Sequence, residues 1–213
     1  MSDIKPIETV YNGYRFRSRL EARWAVFFDE AHIEYQYEPD GFDLDGEYYL
    51  PDFYLSQFDI YVEIKPMDRS VVKHVGDGNM WEQKCIKFRD ITGNAILLCY
   101  GDPAEPIYRL LFAWDRSDSN AGTSEWMCMF SERNKHVELI VTNSWNKDVY
   151  VKDDLVTSND RISNVSESDF QKQMDDDLTI YDVYGGPDKS SFLMKAKLAA
   201  RQARFEHGET PKF

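Results

Sequence analysis

Asp52, Glu63 and Lys65 are the residues of this chain whose types and spacing suit chemistry. Tyr48-Tyr49-Leu50-Pro51-Asp52-Phe53-Tyr54-Leu55 is followed by Asp59-Ile60-Tyr61-Val62-Glu63-Ile64-Lys65-Pro66. In both stretches aromatic and β-branched residues alternate with polar ones, so each reads as a short strand. On the second, Ile60, Val62 and Ile64 face one way and Tyr61, Glu63 and Lys65 the other, because strand side chains alternate. The loop Ser56-Gln57-Phe58 is short enough to fold the first strand back beside the second, bringing Asp52 level with Glu63 or near it. Two carboxylates and a lysine converging at a sheet surface make a site for a hard divalent cation, which takes oxygen ligands.

The composition of these motifs alone carries little. At average residue frequencies a chain this long holds roughly 0.6 Pro-Asp pairs and roughly 1.5 acid-x-Lys triplets by accident. Here the pairs begin at Pro39, Pro51 and Pro187, and the triplets at Asp3, Glu63 and Glu82. Only Pro51-Asp52 and Glu63-Ile64-Lys65 lie on consecutive strands close together.

The elements that must position these residues are legible on either side. Asn12-Gly13 between aromatics predicts a small hairpin. Leu20, Trp24, Phe27, Phe28 and Ala31 recur at helical spacing, which predicts a helix over 18–33. Ser18 is its N-cap, and Glu21 three residues later completes a capping box. Residues 33–37 read as a strand, 38–41 as a turn, and 42–55 and 60–65 as further strands. A helix over 80–91 ends at Gly93, and the apolar run 95–100 is a strand buried on both faces. Residues 108–114, 125–130, 136–142 and 149–151 read as an antiparallel meander. Residues 152–188 are acidic and poor in aliphatic side chains, so extended or mobile structure is expected. A helix capped by Ser190 or Ser191 closes the chain.

The fold expected is α/β (α+β): a mixed sheet flanked by helices, with an antiparallel β-meander extension and a C-terminal helix. Four segments follow: a core over 1–103, an antiparallel extension over 104–156, an acidic segment over 157–188, and a basic helix and tail over 189–213.

The net charge of −13 argues against broad, non-specific nucleic-acid binding, which needs Lys and Arg. The charge is uneven, however. Arg15, Arg17, Arg19 and Arg23 gather near the start, and Lys195, Lys197, Arg201 and Arg204 near the end. Each patch reads as a phosphate-contacting surface or as a solvated helix face. Cys85, Cys99 and Cys128 share no metal-ligand spacing and read as core thiols of a reducing cytoplasm. No apolar run approaches a membrane span and no signal-peptide pattern opens the chain, so a cytoplasmic protein without a membrane partner is expected.

From about Gly13 to Asp102 the sequence resembles the PD-(D/E)XK nuclease superfamily. The resemblance rests on the helix carrying Glu21, the Pro51-Asp52 strand, the Glu63-Ile64-Lys65 strand, the helix after it and the apolar strand ending Gly101-Asp102-Pro103. Phe16-Arg17-Ser18-Arg19-Leu20-Glu21-Ala22-Arg23-Trp24, together with the Tyr49–Leu55 stretch, looks like a small phage-type branch, and the closing helix from Ala199 to Glu209 is similar to that branch. Residues 104–188 resemble no family. Pro66 stands where the superfamily often has Gly.

The resemblance implies a restriction-endonuclease-like core and a Mg²⁺-dependent endonuclease, with Mn²⁺ as a substitute and DNA as the first expected substrate. Asp52 and Glu63 would hold the metal, with the Ile64 carbonyl as a third ligand. Lys65 would position or deprotonate the attacking water. Glu21 would reach the metal directly or through water, unless the capping box with Ser18 engages it. Arg15, Arg17, Arg19, Lys84, Lys87, Lys197, Arg201 and Arg204 are the candidate nucleic-acid contacts. A protein partner or a homodimer stays open. The alternative is a non-catalytic nucleic-acid-binding or protein-interaction module that keeps the fold. The intact Asp52, Glu63 and Lys65 favour the enzyme; the acidic charge favours the module.

Overall fold

The computed structural model describes residues 7–67, 80–111, 125–133, 136–143, 149–153, 156–158 and 192–205. The chain opens with a hairpin of β1 (Thr9–Tyr11) and β2 (Tyr14–Phe16). Asn12 and Gly13 turn it with φ of 46° and 82°, the left-handed pair that a two-residue hairpin loop requires. Helix α1 (Arg19–Glu30) follows, and Ser18 caps it by accepting the Glu21 N–H. Its apolar stripe buries Trp24, Phe27 and Phe28 completely.

Next come β3 (Tyr35–Tyr37), β4 (Phe42–Leu44), β5 (Glu47–Tyr49), β6 (Phe53–Leu55) and β7 (Ile60–Lys65). Residues 48–55, expected as one strand, are two pieces. Tyr49 ends a separate β4–β5 hairpin, and β6 starts only at Phe53. Pro51 has no N–H to give a ladder, which places the break there. The β4–β5 turn is Asp45-Gly46, with φ of 52° and 86°, and the Asp43 carboxylate accepts the Gly46 N–H at 2.6 Å.

Helix α2 (Met80–Thr92) carries the chain from β7 to its parallel neighbour β8 (Ile96–Tyr100). A parallel pair needs such a crossover. The described strands β9 (Ile107–Leu111), β10 (Glu125–Arg133), β11 (His136–Asn143), β12 (Val149–Asp153) and β13 (Val156–Ser158) then pair antiparallel in turn. Because β9 bonds β8, the expected meander continues the same sheet. Its order is β13-β12-β11-β10-β9-β8-β7-β6-β3. The end of β12 and all of β13 fall where looser structure was expected; 159–191 lie outside the described residues. The last helix, α3 (Phe192–Gln202), packs against α1, and its expected serine cap also lies outside.

The molecule is therefore mixed α and β, with one mixed sheet between helical layers. Strand alternation divides the core. Phe53, Val62, Ile64, Leu97 and Cys99 face α1 and α3. Ile96, Leu98 and Tyr100 face Cys85 and Phe88 of α2 and Leu44 and Tyr49 of the β4–β5 hairpin. The α1 side is an aromatic layer in which Phe28 meets Trp24, Phe53 and Phe130 at centroid separations of 5.4–6.3 Å. Each such ring contributes roughly 1.5–3 kcal/mol through burial. None of the described helices is long and apolar enough to cross a membrane.

Candidate active site

The antiparallel register pairs Phe53 with Val62, so Asp52 stands opposite Glu63 one step beyond. Residues directly opposite share a face, with Cβ atoms about 4.5–5.5 Å apart. The loop that produces this register is residues 56–59, one longer than expected, with Asp59 at φ 51°. Both carboxylates are buried, Asp52 at 3% and Glu63 at 5% exposure.

Each carboxylate is held twice. Asp52 Oδ2 accepts the Ile64 N–H at 2.7 Å, and Oδ1 accepts from Arg17 Nη2 at 2.7 Å. Glu63 Oε2 accepts from the Tyr49 hydroxyl at 2.8 Å, and Oε1 pairs with Lys65 Nζ. The Cys85 Sγ lies 3.5 Å from the same hydroxyl. The second arm of Arg17, Nε, reaches Glu38 Oε1 at 2.6 Å. Glu38 follows β3, and its N–H donates to the Asp52 carbonyl at 2.9 Å.

Glu21 lies just behind, 8% exposed. Ser18 Oγ donates to its Oε1 at 2.7 Å; the Tyr37 hydroxyl at 2.7 Å and the Arg17 N–H at 3.1 Å donate to its Oε2. Its side chain is thus engaged in capping contacts, and its link to Asp52 is electrostatic. Among the described residues, Asp52, Glu63, Glu21 and Glu38 surround the two cations Arg17 and Lys65. With all groups ionised, two negative charges are left over.

That surplus shifts the titrations. Burial, then the neighbouring Glu63 and Glu21, hold the Asp52 carboxyl well above the ordinary carboxylate value, against the pull of Lys65 and the Ile64 N–H. Burial pulls Lys65 down, but Glu63 and Asp52 outweigh it and raise the ammonium above its usual value. With these neighbours the ammonium form of Lys65 is favoured. Burial pushes the Cys85 thiol up to about 12.

The donor set has the chemistry of a hard-cation site: buried carboxylate oxygens and an excess of negative charge equal to one divalent ion. Among the described residues, however, no three His, Cys, Asp or Glu side chains converge as a metal-binding group. At Ile64 the contact to the site is the N–H given to Asp52.

The expected basic contacts divide three ways. Arg17 belongs to the site itself. Arg15 and Arg19 are exposed, Arg15 beside Glu8, and Arg204 is exposed with Arg201, which pairs with Glu105 at 3.3 Å. Trp24 Nε1 donates to the Gly101 carbonyl, Gly101 N–H to the Lys65 carbonyl, and Arg23 pairs with Asp102. These contacts set α1 and the end of α3 at the Lys65 end of the sheet.

Lys84 and Lys87 instead hold the β4–β5 hairpin. Lys84 pairs with Glu47 at 2.7 Å, and Lys87 donates to the Leu44 carbonyl at 2.6 Å. Lys197, expected beside Arg201 and Arg204 on an exposed face, is buried at 5% exposure, and burial lowers it to about 7. The reason is the alanine stripe: small Ala196, Ala200 and Ala203 let α3 approach α1 closely and cover the residue next to them.

Sequence reasoning missed Tyr49, Tyr37 and Glu38. The Asp45-Gly46 turn signal was the clue to Tyr49, because it predicts the hairpin that folds Tyr49 over Glu63. Set beside known protein families, curated proteins and solved structures, the chain matches none of them.

Proposed function

We propose that the chain is a metal-dependent nuclease, a phosphodiester hydrolase with a restriction-endonuclease-like core, acting first on DNA. One observation carries the reading: Asp52 and Glu63 oppose each other, buried, on neighbouring strands, with Lys65 paired to Glu63. Asp52 and Glu63 would hold Mg²⁺, or Mn²⁺ in its place. When bound, the ion supplies charge neutralisation on the phosphate and an activated water. Lys65, as an ammonium, would orient that water and donate to a phosphate oxygen. Tyr49 fixes the Glu63 carboxylate, and Glu21 fixes the Arg17 backbone. Arg15, Arg19, Arg201 and Arg204 supply phosphate contacts around the rim.

The test is incubation with plasmid, branched DNA and RNA in Mg²⁺, Mn²⁺ or EDTA. Cleavage that needs the metal and is lost in Asp52→Ala and Glu63→Ala is expected; full activity in either variant defeats the assignment. A second reading, a binding module without catalysis, has its own support: all four carboxylate oxygens of Asp52 and Glu63 already accept a proton donor from the protein. Metal-independent nucleic-acid binding without cleavage would favour it.

A further inference from the structure

The four carboxylate oxygens are not equally replaceable. Asp52 Oδ2 is bound to the backbone N–H of Ile64, inside a strand paired on both sides. Glu63 Oε2 is bound to the buried Tyr49 hydroxyl. Among the described residues, Asp52 Oδ1 is bound by the head of Arg17, whose side chain is 54% exposed. An oxygen of Asp52 can turn to a cation most readily where Arg17 now sits. Arg17 is also mounted to let its head leave. Its backbone N–H is fixed by Glu21 Oε2 at 3.1 Å and by the Tyr37 oxygen at 3.0 Å, so the stem stays in place. The guanidinium fork that now grips Asp52 and Glu38 matches a phosphate equally well.

We propose that Arg17 competes with the divalent cation for Asp52 and, once displaced, grips a phosphate oxygen of the nucleic acid. Metal and nucleic acid then strengthen each other's binding through one side chain. The inference rests on the reading of Asp52 and Glu63 as a cation site. It adds that an internal cation occupies one oxygen of that site, and that the same cation is handed to the substrate. By linkage, whatever factor the nucleic acid adds to metal affinity the metal adds to nucleic-acid affinity.

The experiment is Mn²⁺ binding to the full chain, followed by electron paramagnetic resonance, alone and with a duplex DNA or a single-stranded RNA oligonucleotide. Arg17→Ala is expected to bind Mn²⁺ roughly tenfold more tightly than the unsubstituted chain. One of the oligonucleotides is expected to tighten Mn²⁺ binding by a similar factor in the unsubstituted chain and to have no such effect in Arg17→Ala. Arg17→Lys keeps the charge but loses the fork, so it is expected to fall between the two. Circular dichroism melts check the fold of each variant; should Arg17→Ala not fold, Arg17→Lys and the oligonucleotide effect decide. Unchanged or weaker Mn²⁺ binding in Arg17→Ala overturns the proposal. So does an Arg17→Lys indistinguishable from the unsubstituted chain, or tightening by neither oligonucleotide. Asp52→Ala separates the two levels. If it binds Mn²⁺ as well as the unsubstituted chain, the cation-site reading itself fails. If it loses Mn²⁺ while Arg17→Ala is unchanged, only the competition fails.

Discussion

The β4–β5 hairpin touches two groups of charged residues, one through Tyr49 and one through Glu47, Asp45 and Leu44. Around Asp52 three buried carboxylates and the half-buried Glu38 outnumber the cations among the described residues. On α2, Lys84 and Lys87 are each matched by an acceptor on the hairpin, at or near the surface. The residue types are the same and the pair distances similar; what differs is burial and balance. A balanced surface pair is screened by water and contributes little. An unbalanced buried cluster raises the cost of its own charge and thereby creates an attraction for a cation. The Lys84 and Lys87 pairs fasten a hairpin, and the cluster around Asp52 is left with something to bind.

Removing a ligand should break the contrast most. Asp52→Ala is expected to lower Mg²⁺-dependent cleavage by more than about 100-fold, beyond what changes outside the ligand set reach. Its melting temperature should stay level or rise, since a repelling carboxylate is gone. A large drop in melting temperature would show that Asp52 is structural.

Lys197 provides a buried cation on the α1 face. Its folded value, about 7, lies below the ordinary lysine value near 10.4. Between those values the unfolded chain binds the extra proton, so stability rises as pH goes from about 7 toward 10 and the cost of burial is complete below 7. Relative to the unsubstituted chain, Lys197→Met is expected to flatten that rise by about 2 kcal/mol in denaturant melts from pH 7 to 9.5. Parallel curves for the two proteins would refute it.

Tyr49→Phe sharpens the comparison from the other direction. It removes the hydroxyl from Glu63 without emptying the core, and cleavage should fall about tenfold, as for other residues that orient a ligand. An unchanged rate would mean that Glu63 needs no such support. The smallest effect belongs to the balanced pair. Lys84→Ala should cost under about 1 kcal/mol in a denaturant melt and leave cleavage unaltered, losing even that at high salt. A loss of cleavage would bring α2 into the site.

Much of this was legible in the chain because it depends on local rules. The two-residue period of Ile60–Lys65 and the short loop before it determine that Asp52 meets Glu63, and the structure shows that register. Asn12-Gly13, Ser18 with Glu21, and the fully buried run Ile96–Tyr100 behave as their local chemistry predicts. What escaped depends on contacts distant in sequence. Arg17 reaches a carboxylate 35 positions away. Glu38 arrives there only because β3 pairs with β6. Lys197 shares a helical face with Arg201 by spacing, yet the approach of α1 decides which part of that face is covered.

Glu38 has a consequence beyond the site. It stands at φ 45°, directly after β3, the outermost strand at that end of the sheet. A left-handed residue cannot continue a strand, so among the described residues this edge strand is Tyr35–Tyr37, three residues long. Three residues give another chain little to zip onto, and short edges are one way proteins blunt self-association. The residue that braces Arg17 thus also shortens this edge of the sheet's nine described strands, the geometry that gives self-association least to pair with.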